Sequence, residues 1–167
     1  MTVFKNVTVR NFYLFMRLVY APVLIIAALL LINLNYGFLL FHSLAELFCV
    51  VIGITMFIVA WNTHPHTQNY FLLYLGIGYL WIALLDLFHM LTYNGMPFSI
   101  ISTSSISIHF WIYTRGFEAI ILLSAPLFLT RQFNHLKIFT MGFVITLVLS
   151  YLAIYQQSPI FLLTDKV

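Results

Sequence analysis

Charge is what this sequence has least of. Its 167 residues include seven lysines and arginines and four aspartates and glutamates, 7% charged in all, against 63% hydrophobic residues. A water-soluble domain needs roughly a quarter of its residues charged to cover its surface. A soluble fold is excluded, and an integral membrane protein is implied. The basic residues are also too few and too scattered for a phosphate-binding face, which removes nucleic acid as a partner despite the formal charge of +3. The single cysteine, Cys49, leaves no intrachain disulfide and no cysteine-based metal framework. Ten-residue segments of alternating polarity are missing, which argues against a transmembrane barrel. No repeat and no low-complexity segment stands out, and "GIGYL" (Gly76 to Leu80) has no strand before it to make a nucleotide-binding loop. Its small residues suit close helix approach instead.

What the chain does have is continuous apolar runs of about twenty residues, the length that crosses a bilayer as a helix. Breaking it at polar and Gly/Pro clusters predicts an all-α polytopic bundle of about five spans: Phe12 to Ile32, His42 to Trp61, Tyr70 to Leu91, Ser107 to Leu129 and Lys137 to Tyr155. The expected connectors are "NLNYGFLLF", "NTHPHTQN", "TYNGMPFSIISTSS" and "TRQFNH". The first apolar run follows Lys5, Arg10 and Arg17 but lacks a small-x-small cleavage pattern after it, so it reads as an uncleaved span. Those three basic residues, with Arg131 and Lys137 around the fourth connector, place the amino terminus and the second and fourth connectors in the cytoplasm. Five crossings then deliver "QQSPIFLLTDKV" to the outer face.

Three of the four acidic residues, Glu46, Asp86 and Glu118, fall inside predicted spans together with Arg115. Burying such a group in hydrocarbon costs about 2.5 to 3.5 kcal/mol on insertion scales, so something must compensate. His42 and Glu46 are four apart, Asp86 and His89 three apart, and Arg115 and Glu118 three apart, so each pair shares a face of its helix. With the amino terminus inside, all six lie toward the outer half, as does His109, a weaker addition to the set. Loop charges alone set this orientation, so the agreement in depth independently supports one convergent site.

A purely structural ion-pair network is one reading of that site. Against it, one arginine cannot neutralise three carboxylates, and the surplus calls for a proton, a cation or water. His42, Glu46, Asp86 and His89 are the right donor types for a divalent transition metal. Haem, with His42 and His89 as axial ligands, is less favoured, because carboxylates and an arginine make an odd lining for a porphyrin face. His64 and His66 read as polar linker, and His135 as a solvated loop residue. Two further classes compete with a receptor. A small transporter or a metal- or haem-dependent membrane redox protein would also bury Asp, His and Arg. A mere anchor or oligomerisation unit leaves the buried carboxylates without purpose; the lipid bilayer and a second copy of the chain, as a homodimer, are the expected macromolecular surroundings.

The stretches "FHSLAELFCVVIGITMFIVAWNT", "YFLLYLGIGYLWIALLDLFHMLTYNGMPF" and "IHFWIYTRGFEAIILLSAPLF" resemble the third class of membrane-associated sensor domain. The likeness covers the second to fourth spans, and "LLDLFHMLTYNGM" is its most distinctive part. It implies an input module, without catalysis of its own, ahead of bacterial histidine kinases of two-component systems or cyclic-di-GMP enzymes. The implied setting is the bacterial inner membrane, with a small ligand or ion and a cytoplasmic signalling partner. On the family pattern the matched polar positions are His42, Glu46, Asp86, His89, Arg115 and Glu118, with Gly95 and Met96 as a turn closing the third helix. Members of the family continue with further membrane helices and an output domain. Residues 1–167 are therefore expected to be a single sensor domain lacking those parts: a fragment, a truncated product, or a stand-alone sensor acting through a partner.

Overall fold

The computed structural model describes residues 2–96 and 104–155. Every regular element among them is helical: α1 (Thr2–Tyr36), α2 (Phe38–Thr67), α3 (Tyr70–Thr92), α4 (Ser104–Ser124) and α5 (His135–Tyr155), with a 3-10 turn at Ala125–Leu129 after α4. Five apolar stretches among the described residues are long enough to cross a membrane, as the expected all-α bundle requires.

The helices extend further than the polar clusters suggested, because polar side chains inside them bond to their own helix. The first connector, expected over nine residues, is reduced to Gly37. Asn35 continues α1 by donating from Nδ2 to the Leu31 carbonyl at 2.7 Å. Gly37 ends it with φ of +89°, its N–H donating to the Asn33 carbonyl at 3.1 Å. Only a residue without a side chain takes that left-handed conformation cheaply.

The second connector shrinks for the same reason. Asn62 Nδ2 and Thr63 Oγ1 donate to the carbonyls of Ile58 and Val59 at 2.7 and 2.8 Å, carrying α2 on to Thr67. His64 and His66 are therefore not in a loop but in the last turn of α2, where the helix dipole favours positive charge. The chain turns at Gln68, with φ of +51°, and the Asn69 side chain caps α3 by accepting from the Leu72 N–H at 3.0 Å. His135, expected in a loop, opens α5, and its ring meets the Trp61 ring edge-on at 5.5 Å.

The fourth span is an α-helix only as far as Ser124. Pro126 removes the N–H that the next turn would need, and the chain continues as a 3-10 turn. After α3, Gly95, with φ of +91°, and the Met96 N–H, donating to the Tyr93 carbonyl at 3.1 Å, make the expected turn. Residues 97–103 of the third connector and the carboxyl-terminal "QQSPIFLLTDKV" lie outside the described residues, and the connector's last two serines open α4.

Contacts divide the chain into residues 1–45 and residues 46–167. In the first unit the apolar window Val19–Tyr36 has none of its residues buried, and Leu24, Leu31 and Leu34 point outward. Such a surface suits lipid, not water. In the second unit α3 is the core: 56% of its window is buried, against 17% to 22% for α2, α4 and α5.

Missing side chains let its neighbours approach. A Cβ on Gly53 of α2 would fall 2.9 Å from the Ala83 Cβ and the Tyr79 carbonyl oxygen of α3, and one on Gly78 would meet the Ile121 side chain of α4 at 2.6 Å. Gly76 sits against Ala60, and Gly142 of α5 against the Trp81 indole. Lipid tails are as apolar as leucine, so tight packing of this kind, not exclusion of water, drives association of the helices. The small residues of "GIGYL" act in the way their spacing predicted.

Candidate intramembrane site

The site is built on the register between α3 and α4. These helices run antiparallel: Tyr74 lies opposite Ser124, with its hydroxyl 2.6 Å from Ser124 Oγ, and Phe88 lies opposite Phe110, ring centroids 5.7 Å apart. Over this stretch and the residue just past it, α3 presents Tyr79, Asp86 and His89 along one face, seven and three residues apart, which is the spacing of a single stripe. Asp86 and His89 are 4% and 5% exposed.

Near the carboxyl-terminal end of α3, His89 Nδ1 lies 2.8 Å from the Ser107 carbonyl oxygen. A carbonyl only accepts, so Nδ1 carries the hydrogen and Nε2 holds the lone pair. Ser107 Oγ, 3.0 Å from the same nitrogen, donates to the His89 carbonyl at 3.3 Å and ties the start of α4 to the end of α3.

One turn further along α3, Arg115 donates from Nη2 to Asp86 Oδ1 at 2.6 Å and Oδ2 at 2.8 Å. Its Nη1 donates to Glu118 Oε2 at 2.7 Å. The Tyr79 hydroxyl donates to the remaining Glu118 oxygen, Oε1, at 3.1 Å. Four side chains from two helices thus form one continuous network. Charge-assisted and bidentate bonds are the strong members of their class, and a desolvated carboxylate in a spanning helix needs them.

From α2, Glu46 places a carboxylate oxygen within 4.8 Å of a His89 ring nitrogen. It stands in electrostatic range of Asp86, His89 and Arg115. Three carboxylates therefore gather around one arginine. Five of the six expected residues, Glu46, Asp86, His89, Arg115 and Glu118, are brought together in the second unit. His42 occupies α2 one turn ahead of Glu46 and stacks on Phe38, centroids 5.6 Å apart. His109 is buried on α4 beside Tyr113, ring centroids 6.1 Å apart.

Tyr79 and Ser107 were not anticipated. Tyr79 had a signal, since it precedes Asp86 by two turns on the same face. Ser107 had none, because the acceptor that orients the His89 ring is its backbone carbonyl, which any residue supplies.

A family model described as a membrane-associated sensor domain, MASE3, matches residues 33–165. The match reaches beyond the second to fourth spans that carry the resemblance, into α5 and the residues after it. Neither the curated proteins nor the solved structures gave a match to this chain. A match over so much of the sequence, on a helical scaffold with five candidate spans, is decisive: the chain belongs to the MASE3 family of membrane-associated sensor domains, which serve signalling proteins.

Proposed function

We propose that this chain is the membrane-embedded input module of a bacterial signalling protein of the histidine kinase or cyclic-di-GMP enzyme type, and that the polar network of α2, α3 and α4 is its ligand-responsive site. On this reading the amino terminus lies on the cytoplasmic side of the inner membrane and the site in the outer half of the bilayer, an orientation supported by the distribution of lysine and arginine. One observation carries the reading: Arg115 holds Asp86 of α3 and Glu118 of α4 with a single guanidinium. A ligand that takes up Asp86 competes with that bridge, and one that takes up His89 or Glu46 acts on α3 beside it; either alters how α3 meets α4. To transmit anything, it must prefer one helix arrangement over the other. The cytoplasmic partner then reads displacement at the opposite ends of these helices.

The test is a distance measurement on the full chain in lipid nanodiscs. Nitroxide labels at Leu72→Cys and Leu129→Cys, with Cys49→Ala to remove the native thiol, report the far ends of α3 and the 3-10 turn. Asp86→Asn and Arg115→Gln are expected to shift the distance distribution. Distributions that coincide with those of the natural network in both variants would rule the site out as the responsive element.

A further inference from the structure

We infer that the ligand taken at this site is a divalent transition-metal ion, held by Glu46 and His89. The inference rests on the proposed sensory site and specifies its chemistry.

Three observations support it. The first is proximity: a carboxylate oxygen of α2 and a ring nitrogen of α3 lie within 4.8 Å. Metal–ligand bonds of about 2.0 to 2.2 Å bring donor atoms to roughly 3 to 4 Å from each other, so a short approach of α2 toward α3 completes the contact.

The second is the support behind His89. Its Nδ1–H donates to the Ser107 carbonyl at 2.8 Å, which orients the ring and leaves the lone pair on Nε2. A histidine that ligates a metal almost always has its other nitrogen bonded this way. The third is charge. With Glu46, Asp86 and Glu118 ionised and Arg115 the cation among them, the cluster carries a surplus of two negative charges in a spanning region. A divalent cation brings the sum to zero without protonating a carboxylate, and a neutral ligand leaves the surplus unchanged. Imidazole with carboxylate suits zinc, nickel, copper, cobalt or ferrous iron better than magnesium or calcium.

Drawing Glu46 and His89 onto one ion couples α2 to α3 at the place where α3 is already bridged to α4. Metal occupancy thereby becomes a change in helix packing, the event a sensor has to transmit.

Co²⁺ is the probe, because its visible absorption reports ligand number and geometry. The full chain in nanodiscs is expected to take up one Co²⁺ per chain, displaced by Zn²⁺. Glu46→Gln and His89→Ala should each weaken Co²⁺ binding by at least ~100-fold, since even loss of a group supporting a ligand costs 10- to 100-fold. His66→Ala, at the other end of α2, should leave it unchanged. Because His89→Ala also removes the tie to Ser107, His89→Cys in a Cys49→Ala background serves as a second variant. A Co²⁺–thiolate charge-transfer band there identifies position 89 as a ligand, which a structural role does not produce.

Full-strength binding in Glu46→Gln and His89→Ala, or no uptake of Co²⁺, Zn²⁺, Ni²⁺ or Cu²⁺ by the natural sequence, overturns the metal assignment. The label pair at positions 72 and 129 separates this failure from failure of the sensory reading. Absence of metal uptake with a distance shift in Asp86→Asn ends the metal and leaves the responsive site. Uptake through these residues, with labels unmoved by metal or substitution, leaves the metal site and ends the sensory role.

Discussion

Arg115 reaches along the membrane to hold Asp86. The register set by Tyr74 with Ser124 and Phe88 with Phe110 places Asp86 about one turn away from Arg115 along α4, and the long side chain spans that offset with contacts of 2.6 and 2.8 Å. Lysine lacks the planar fork that lets one guanidinium grip Asp86 and Glu118 together.

Removing that fork should destabilise the bundle markedly. Arg115→Gln leaves two carboxylates facing each other, and breaking a buried pair costs about 3 to 5 kcal/mol. The Arg115 side chain is 42% exposed, so a loss near the lower end is expected. Combining Arg115→Gln with Asp86→Asn should recover part of it, with a coupling of about 1 to 3 kcal/mol in a double-mutant cycle on thermal unfolding in detergent. Strictly additive losses would show that the two side chains do not act together.

Tyr79→Phe isolates the far end of the network. It deletes one hydrogen bond to a carboxylate, a contribution of about 1.5 to 3 kcal/mol, while keeping the ring. Glu118→Leu, which leaves the hydroxyl no acceptor, should abolish most of the effect of Tyr79→Phe. An equal effect in both backgrounds would place the stabilisation in the ring rather than the hydroxyl.

Two glycines offer a matched comparison. Gly142→Ala drives a methyl group into the Trp81 indole, and overpacking of this kind costs about 1 to 3 kcal/mol. Gly116→Ala meets nothing within 4 Å and should be neutral or stabilising by up to about 1 kcal/mol through helix propensity. The melting temperatures of the two variants should move in opposite directions or differ clearly. Equal behaviour would show that α5 does not rest on Trp81.

Orientation is open to thiol labelling. With Cys49→Ala as the background, a membrane-impermeant maleimide should reach Asn94→Cys in intact cells and His66→Cys only after lysis; both positions are exposed in the fold. The reverse pattern would move the polar site to the cytoplasmic half.

Much of this arrangement was legible in the residues. Apolar runs separated by Gly37, the Gln68-Asn69 turn and Gly95 announced the spans, and ionisable residues at helical spacing inside them announced the site. The connectors were misjudged because Asn35, Asn62 and Thr63 look like loop formers. Each instead donates to its own helix, at distances of 2.7 to 2.8 Å. Tyr79 went unnoticed because a tyrosine in a spanning helix is ordinarily packing, and its hydroxyl acquires a role only opposite Glu118.

The amino-acid order by itself decided that the chain lives in a membrane, where its helices lie, and which few side chains must find partners there, because hydrocarbon leaves those outcomes to hydropathy and helical period. The choice of partner belonged to the tertiary structure. Arg115 had three carboxylates within reach of the sequence argument, and the register of α3 against α4, set by Gly78 on Ile121 and Tyr74 on Ser124, gave it Asp86 and Glu118 while leaving Glu46 beside His89. Helical spacing fixes faces within one helix, but only packing between helices sets which faces meet and at what height.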